Sequence, residues 1–269
     1  MGRLWVLVAI TALAWAMPAL PQEPDPEASA IWQKVRADLF GDKPIASGDS
    51  VISLELPVRA QDASVVPLSI RAGFPQAGEH AIERIWLVVD NNPSPIAASF
   101  RFTRASGRAD IDTRIRVEQY THVRAIAATA DGALHMDVRY VKASGGCSAP
   151  PPGDATAARA PLGRMRLAVD PAVAPGEPST VRLFVSHPND SGLAMDQVSR
   201  LYTPAHFVRT LEVRQGGELV LAADLDFAIS ENPYFRFEIV PAPGAALEAH
   251  IVDNRSLEFS TGLRLQARD

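Results

Sequence analysis

The residue best suited to chemistry in this sequence is Cys147, the only cysteine in the chain. Gly145 and Gly146 come directly before it, and Ser148, Ala149 and a run of three prolines follow. Glycine gives the backbone wide conformational freedom, whereas a cysteine with a structural role is usually buried among apolar neighbours. The sequence therefore predicts a thiol presented to solvent at Cys147, with Gly145 and Gly146 as its hinge.

The thiol at Cys147 predicts nucleophilic or redox chemistry. The thiolate is the reactive form, and an exposed cysteine has a pKa of about 8.5. Arg139 and Lys142 lie close in sequence and could raise the thiolate fraction. A single cysteine cannot form an internal disulfide, so in an exported protein it indicates an intermolecular partner or a free reactive thiol. The alternative is a buried cysteine with no functional role.

The first residues have the pattern of a secretory signal peptide. Arg3 precedes an apolar stretch over residues 4–16, small residues follow at Ala16 and Ala19, and polar residues begin at Gln22. The apolar stretch is shorter than the roughly 20 residues of a membrane-spanning helix. We therefore expect a signal peptide at residues 1–21 and a mature periplasmic protein with no membrane attachment.

Charge and histidine spacing argue against several classes of partner. The formal net charge is -5, and the basic residues are scattered, which does not favour nucleic acid as a partner. The histidines do not form a closely spaced ligand pair, and the cysteine lies apart from them, so the sequence predicts no metal site and no cofactor. The six histidines are His80, His122, His135, His187, His206 and His250.

One helix opens the predicted mature chain. Asp25 has the residue type of an N-cap, and Pro26 suits the first helical position. Apolar residues then recur at helical spacing, including Trp32, until Gly41 provides a stop signal.

The rest of the sequence predicts an all-β fold of two immunoglobulin-like β-sandwich domains. Seven Val- and Ile-rich runs lie between residues 51 and 141, and seven more lie between residues 165 and 265. Asp131-Gly132 and Gly216-Gly217 are typical of tight hairpins. A Pro- and Ala-rich stretch over residues 148–161 predicts an exposed linker. The expected domains are residues 22–147 and 162–269, each long enough to bury its own core.

Several motifs in the first half occur in the order found in one known carrier family. They are Asp90-Asn91-Asn92-Pro93, Arg114-Ile115-Arg116, Asp131-Gly132 and Gly145-Gly146-Cys147. A second set occurs in the other half: Ser186-His187-Pro188, Ser191-Gly192-Leu193, Pro204-Ala205-His206-Phe207 and Ser230-Glu231-Asn232-Pro233-Tyr234-Phe235. Residues 30–149 resemble SoxY and residues 162–266 resemble SoxZ, the sulfur carrier proteins of bacterial thiosulfate oxidation.

The resemblance implies a role for Cys147. In that family the cysteine near the SoxY carboxyl end carries a covalently bound sulfur intermediate, and partner enzymes act on it in turn. The fused arrangement is similar to carriers associated with quinoprotein dehydrogenases. One departure concerns the arm: SoxY ends in Gly-Gly-Cys-Gly-Gly at a free terminus, whereas here Ser148 and a second domain follow. An arm held at both ends is a loop with less reach.

The leading hypothesis is a periplasmic, non-enzymatic carrier that holds a thiosulfate-type intermediate on Cys147. Its expected partners are sulfur-oxidising enzymes and a c-type cytochrome or quinoprotein dehydrogenase. The alternative is a non-covalent docking subunit for such a dehydrogenase or cytochrome, in which Cys147 is incidental. A thiol oxidoreductase is a third alternative, but the sequence lacks a second, resolving cysteine. The sequence leaves open the cargo and any disulfide-linked dimer.

Overall fold

The computed structural model describes residues 23–149, 161–170, 176–196, 199–242 and 244–265. The predicted signal peptide at residues 1–21 lies outside these residues, as does most of the predicted linker, residues 150–160. None of the helices in the described part is long and apolar enough to cross a membrane.

The described residues contain one α-helix, α1, which spans Ala30–Phe40. Ser29 is its N-cap and accepts the N–H of Trp32, whereas Asp25 caps a separate turn of 3-10 helix, Pro26–Ala28. The predicted cap at Asp25 was therefore one turn too early. Gly41 ends the helix at a φ of 59°. Trp32 is fully buried, with the Arg124 guanidinium 4.3 Å from its ring centroid, and this contact fixes the helix on the sheet below it.

The part of the chain that the structure describes also forms fifteen strands. The first half contributes β1 Ile45–Ser47, β2 Ile52–Glu55, β3 Val66–Ala72, β4 Ile82–Val89, β5 Ile96–Phe102, β6 Ile111–Ile115, β7 Thr121–Thr129 and β8 Leu134–Val141. The second half contributes β9 Met165–Val169, β10 Ser179–Val185, β11 Val208–Gln215, β12 Glu218–Leu225, β13 Tyr234–Ile239, β14 Ala246–Asp253 and β15 Glu258–Arg264. Every predicted strand is present, and only β1 was not predicted.

Two sheets pack face to face, and both halves of the chain contribute to each sheet. The larger sheet has the order β1-β8-β7-β4-β5-β12-β11-β14-β15, and the smaller has the order β2-β3-β6-β13-β10-β9. Antiparallel pairing of β5 with β12 joins the halves in the larger sheet, and pairing of β6 with β13 joins them in the smaller. The all-β, immunoglobulin-like fold class is confirmed.

The hydrophobic core is continuous across the two halves. One cluster of buried residues extends from Ile52 near the start of the first half to Leu265 near the end of the second. Phe100 of β5 packs against Phe235 of β13 with ring centroids 6.4 Å apart, so this contact joins two sheets and two halves at once. Pairing of the sheet edges therefore joins the buried residues of the two halves into one cluster.

Candidate functional site: a docked cysteine arm

Cys147 lies on a turn that follows β8, within a segment that we call the cysteine arm, residues 143–149. The arm lies against the loop after β6. Gly145 donates its N–H to the carbonyl of Glu118 at 2.8 Å, and Gly146 donates to the carbonyl of Val117 at 2.9 Å. The glycines predicted to form a hinge are therefore bound to neighbouring backbone in this structure.

The two glycines are required for different reasons. Gly145 has a φ of 81°, a left-handed conformation that side chains disfavour, but a side chain there would meet open space. Gly146 is tightly enclosed, because a Cβ atom would lie 1.9 Å from the carbonyl oxygen of Ala63 and 2.8 Å from the nitrogen of Val117. Only glycine at position 146 therefore allows the arm to approach this loop closely.

The Cys147 side chain is fully buried, which contradicts the prediction of a thiol presented to solvent. Burial is the largest cause that raises the pKa of the thiol to about 12, and the negative charges of Glu118 and Asp226 act in the same direction. Arg116 lowers the pKa but does not compensate. The cation that lowers the pKa of the thiol is therefore Arg116, and not Arg139 or Lys142. In this conformation the thiol is protonated and unreactive at neutral pH.

Glu118 holds the outer side of the arm. Its carboxylate accepts the N–H of Cys147 at 2.8 Å, the N–H of Ser148 at 3.1 Å and the hydroxyl of Ser148 at 2.8 Å. Asn92, in the turn after β4, accepts the N–H of Glu118 at 2.9 Å and donates to the carbonyl of Arg116 at 2.8 Å. The Asp90-Asn91-Asn92-Pro93 motif thus positions the loop on which the arm lies.

The second half of the chain holds the inner side of the arm. Ser191 donates its hydroxyl to the carbonyl of Cys147 at 2.5 Å. The Arg116 guanidinium donates to the carbonyl of Gly146 at 3.3 Å and to the carbonyl of Asn189 at 3.2 Å. Arg116 is 6% exposed, so it holds the arm from a buried position. The arm therefore docks at the junction of the two halves.

Sequence reasoning found the cysteine and its glycines but not the residues that hold them. Glu118, Arg116 and Ser191 are separated from Cys147 by 29 to 44 positions, and no local pattern connects them. Ser191 belongs to the Ser191-Gly192-Leu193 motif, which was the one available signal for that residue.

A second polar cluster lies in the same half as Ser191. His187 follows β10, His206 precedes β11, and Asp253 ends β14. All three side chains are buried. Their nearest ligand atoms lie within 4.8 Å of one another, so these residues could hold a metal ion. The prediction of no metal site came from spacing along the chain, which does not reveal this convergence.

Each half of the chain matches a known protein family. Residues 36–147 match the family model described as sulfur oxidation protein SoxY, and residues 165–263 match the one described as sulphur oxidation protein SoxZ. The first match ends at Cys147. No curated protein matches the chain.

Two solved structures are similar to part of the chain. The sulfur carrier protein SoxY from Chlorobium limicola f thiosulfatophilum is 22% identical, with a TM-score of 0.35 over 42% of this chain and 91% of that one. A superoxide reductase (neelaredoxin) from Ignicoccus hospitalis is 14% identical, with a TM-score of 0.32 over 44% of this chain and 90% of that one.

Proposed function

The chain belongs to the SoxY and SoxZ sulfur oxidation families, joined in one polypeptide, and we propose that it is a periplasmic carrier that holds a sulfur-oxidation intermediate covalently on Cys147. The carrier itself is not an enzyme. Its partners are periplasmic sulfur-oxidising enzymes, with a c-type cytochrome or a quinoprotein dehydrogenase as the electron acceptor. The predicted signal peptide supports export to that compartment.

The observation that carries the proposal is that Cys147 is a buried free cysteine on an arm held by hydrogen bonds. The arm belongs to no β-strand, and it is held by hydrogen bonds that water can replace. Ser148, the next residue, is exposed, so the thiol lies directly beneath the surface. Release of a few residues around Gly145 and Gly146 would expose the thiol. A docked state and a released state suit a carrier, because the docked state protects the thiol between partners.

The proposed loading step with thiosulfate is an oxidation. The Cys147 thiol loses its proton, and its sulfur forms a bond with the outer sulfur of thiosulfate. This gives a cysteine S-thiosulfonate, one proton and two electrons. The electrons pass to two oxidised one-electron acceptors such as c-type cytochromes. Since the thiolate is the nucleophile, the arm must leave its docked position before the bond forms.

Intact-mass measurement tests the proposal. The protein is incubated with thiosulfate and an excess of oxidised cytochrome c, and its mass is compared with that of Cys147→Ser treated identically. We expect one thiosulfate adduct in the natural protein and none in the variant. The absence of an adduct in both proteins, or an equal adduct in both, would refute covalent carriage on Cys147.

The burial of the thiol also favours a second candidate, a docking subunit in which Cys147 is incidental. In that case the two joined halves bind a dehydrogenase or cytochrome without covalent chemistry. The two candidates differ for Cys147→Ser: a docking subunit would support electron transfer in a reconstituted assay as well as the natural protein does, whereas a carrier would not.

A further inference from the structure

We propose that His187, His206 and Asp253 form a binding site for one divalent first-row transition metal ion of the Zn²⁺ class. His206 Nε2 lies 2.6 Å from Asp253 Oδ2, and His187 Nε2 lies 3.5 Å from the same oxygen. The three residues come from separate places in the chain, and their side chains meet in the interior. Two imidazoles and one carboxylate are ligands that suit zinc, iron, nickel and copper rather than calcium or magnesium.

Hydrogen bonds from backbone N–H groups orient the Asp253 carboxylate for metal binding. Asp253 Oδ1 accepts the N–H groups of Arg255 and Leu257, both at 2.8 Å. This leaves Oδ2 directed at the two imidazoles. Hydrogen bonds of this kind fix ligand orientation at metal sites and raise affinity.

His187 supplies the observation that points to a missing ligand. Its side chain is fully buried, and its Nε2 atom has no hydrogen-bond partner within the described part of the chain. A buried polar atom without a partner is unfavourable and rare. Because Nε2 faces the Asp253 oxygen across 3.5 Å, an ion placed between them would satisfy it.

Two of the three pairs of ligand atoms have distances compatible with such an ion after a small adjustment. Zinc bonds of about 2.05 Å in tetrahedral geometry separate ligand atoms by about 3.3 Å. The pair formed by His187 and Asp253 already has this spacing, and the pair formed by His206 and Asp253 would have to open by about 0.7 Å. Three protein ligands leave the fourth position for water or an exogenous anion. His206 has an exposed side-chain fraction of 8%, which gives the site an edge that solvent can reach.

Metal binding would also act on the cysteine arm through His187. In this structure His187 Nδ1 accepts the N–H of Asn189 at 3.1 Å, which places the imidazole hydrogen on Nε2. Coordination through Nε2 would move that hydrogen to Nδ1, where it would face the Asn189 N–H. The Asn189 carbonyl binds Arg116, which in turn binds the carbonyl of Gly146. An ion at the site should therefore loosen the docked arm, and docking should weaken metal binding to the same degree.

The test uses the full-length Cys147→Ser protein, so that the thiol cannot bind the metal and the result is independent of carrier function. Calorimetric titration with Zn²⁺ should show one ion per chain, and Co²⁺ should give visible d–d absorption. His206→Gln and Asp253→Asn should each weaken binding at least tenfold. Asp253→Asn keeps an oxygen for the two backbone N–H groups, and circular dichroism would check that both variants fold.

The matched control is His250→Gln, because His250 pairs with Glu258 at 3.3 Å on the exposed surface. This variant should bind Zn²⁺ unchanged, and Mg²⁺ should not bind to any of the proteins. The site would be overturned if Zn²⁺ failed to bind, or if binding survived in both His206→Gln and Asp253→Asn. Hydrogen exchange at residues 145–148 should become faster when Zn²⁺ is bound, and an unchanged rate with bound metal would overturn the coupling to the arm.

Discussion

The carboxylate of Glu118 accepts the backbone N–H of Cys147 at 2.8 Å. The recognised group is main chain, so this hydrogen bond does not depend on the side chain at position 147. A thiol, an adduct or a serine hydroxyl leaves this hydrogen bond unchanged. An adduct would instead add atoms to the side chain beneath the arm, where Cys147 is fully buried. We therefore expect that a loaded arm docks less readily than an empty one.

Glu118→Gln should release the arm. The substitution removes the charge and places an NH2 group where one carboxylate oxygen accepts hydrogen bonds from Cys147 or Ser148. Hydrogen bonds to a charged group contribute about 1.5–3 kcal/mol when buried. Partial exposure of Glu118 reduces this to about 1–2 kcal/mol, which corresponds to a roughly 5- to 30-fold larger fraction of released arm. The labelling rate of the native thiol with a disulfide reagent at pH 7 measures the release. Glu79→Gln, at an exposed glutamate in another loop, is the control, and equal rates in the two variants would contradict the role of Glu118.

Gly146→Ala should release the arm more strongly than Gly145→Ala. The Cβ atom at position 146 would overlap the carbonyl of Ala63, and backbone cannot move aside as a flexible side chain can. At position 145 the added carbon meets open space, and the strain of a positive φ is about 1–2 kcal/mol. Thiol labelling should therefore be fastest in Gly146→Ala, intermediate in Gly145→Ala and slowest in the natural protein. The reverse order of the two variants would show that the arm does not dock as described.

Val- and Ile-rich composition with a tendency to alternate was sufficient to predict every strand except β1. β-Branched residues favour strands, and a strand with one buried face has a period of two residues. The predicted runs between residues 51 and 141 and between residues 165 and 265 include β8, β9 and β13, which span Leu134–Val141, Met165–Val169 and Tyr234–Ile239. The pairing of β5 with β12 was not predictable in this way. Each of these strands has the pattern of a strand in its own sandwich, and nothing in that pattern specifies an edge partner more than 100 residues away.

The candidate site was half predicted for a similar reason. Gly145, Gly146 and Cys147 are consecutive, so their association is visible in the sequence. The same glycines that suggest mobility also allow close packing, and sequence alone does not distinguish these two uses. The burial of Cys147 depends on Glu118 and Ser191, which the fold brings from distant positions.

The pH dependence of alkylation should distinguish a docked thiol from an exposed one. The docked arm raises the pKa of Cys147 to about 12, from the value of about 8.5 to 9.0 that an exposed cysteine has. Below pH 9 both the docked and the released thiol keep their proton, so docking does not depend on this group. Between pH 9 and pH 12 only the released thiol loses its proton, and docking weakens by up to about 1.4 kcal/mol per pH unit. Iodoacetamide labelling should therefore keep rising above pH 9.

The control for this pH series is the same protein unfolded in urea, whose thiol should reach constant reactivity about one unit above its ordinary pKa. A native protein whose labelling also levelled off near pH 10 would contradict the docked state. Cys147→Ser offers a second comparison. Its unfolding free energy should fall less between pH 9 and pH 12 than that of the natural protein, because the serine hydroxyl does not titrate in this range.

Phe235→Ala should destabilise both halves of the molecule together. Phe235 is fully buried and packs on Phe100 across the junction. Removing a buried phenyl group from such a core costs about 3–5 kcal/mol. Because β5 pairs with β12 and β6 pairs with β13, we expect one cooperative urea transition that shifts as a unit when followed by both tryptophan fluorescence and circular dichroism. All four tryptophans lie in the first half of the sequence, so the fluorescence reports on the half that does not contain the substitution. A fluorescence transition that stayed in place while the circular dichroism signal moved would show that the two halves unfold independently.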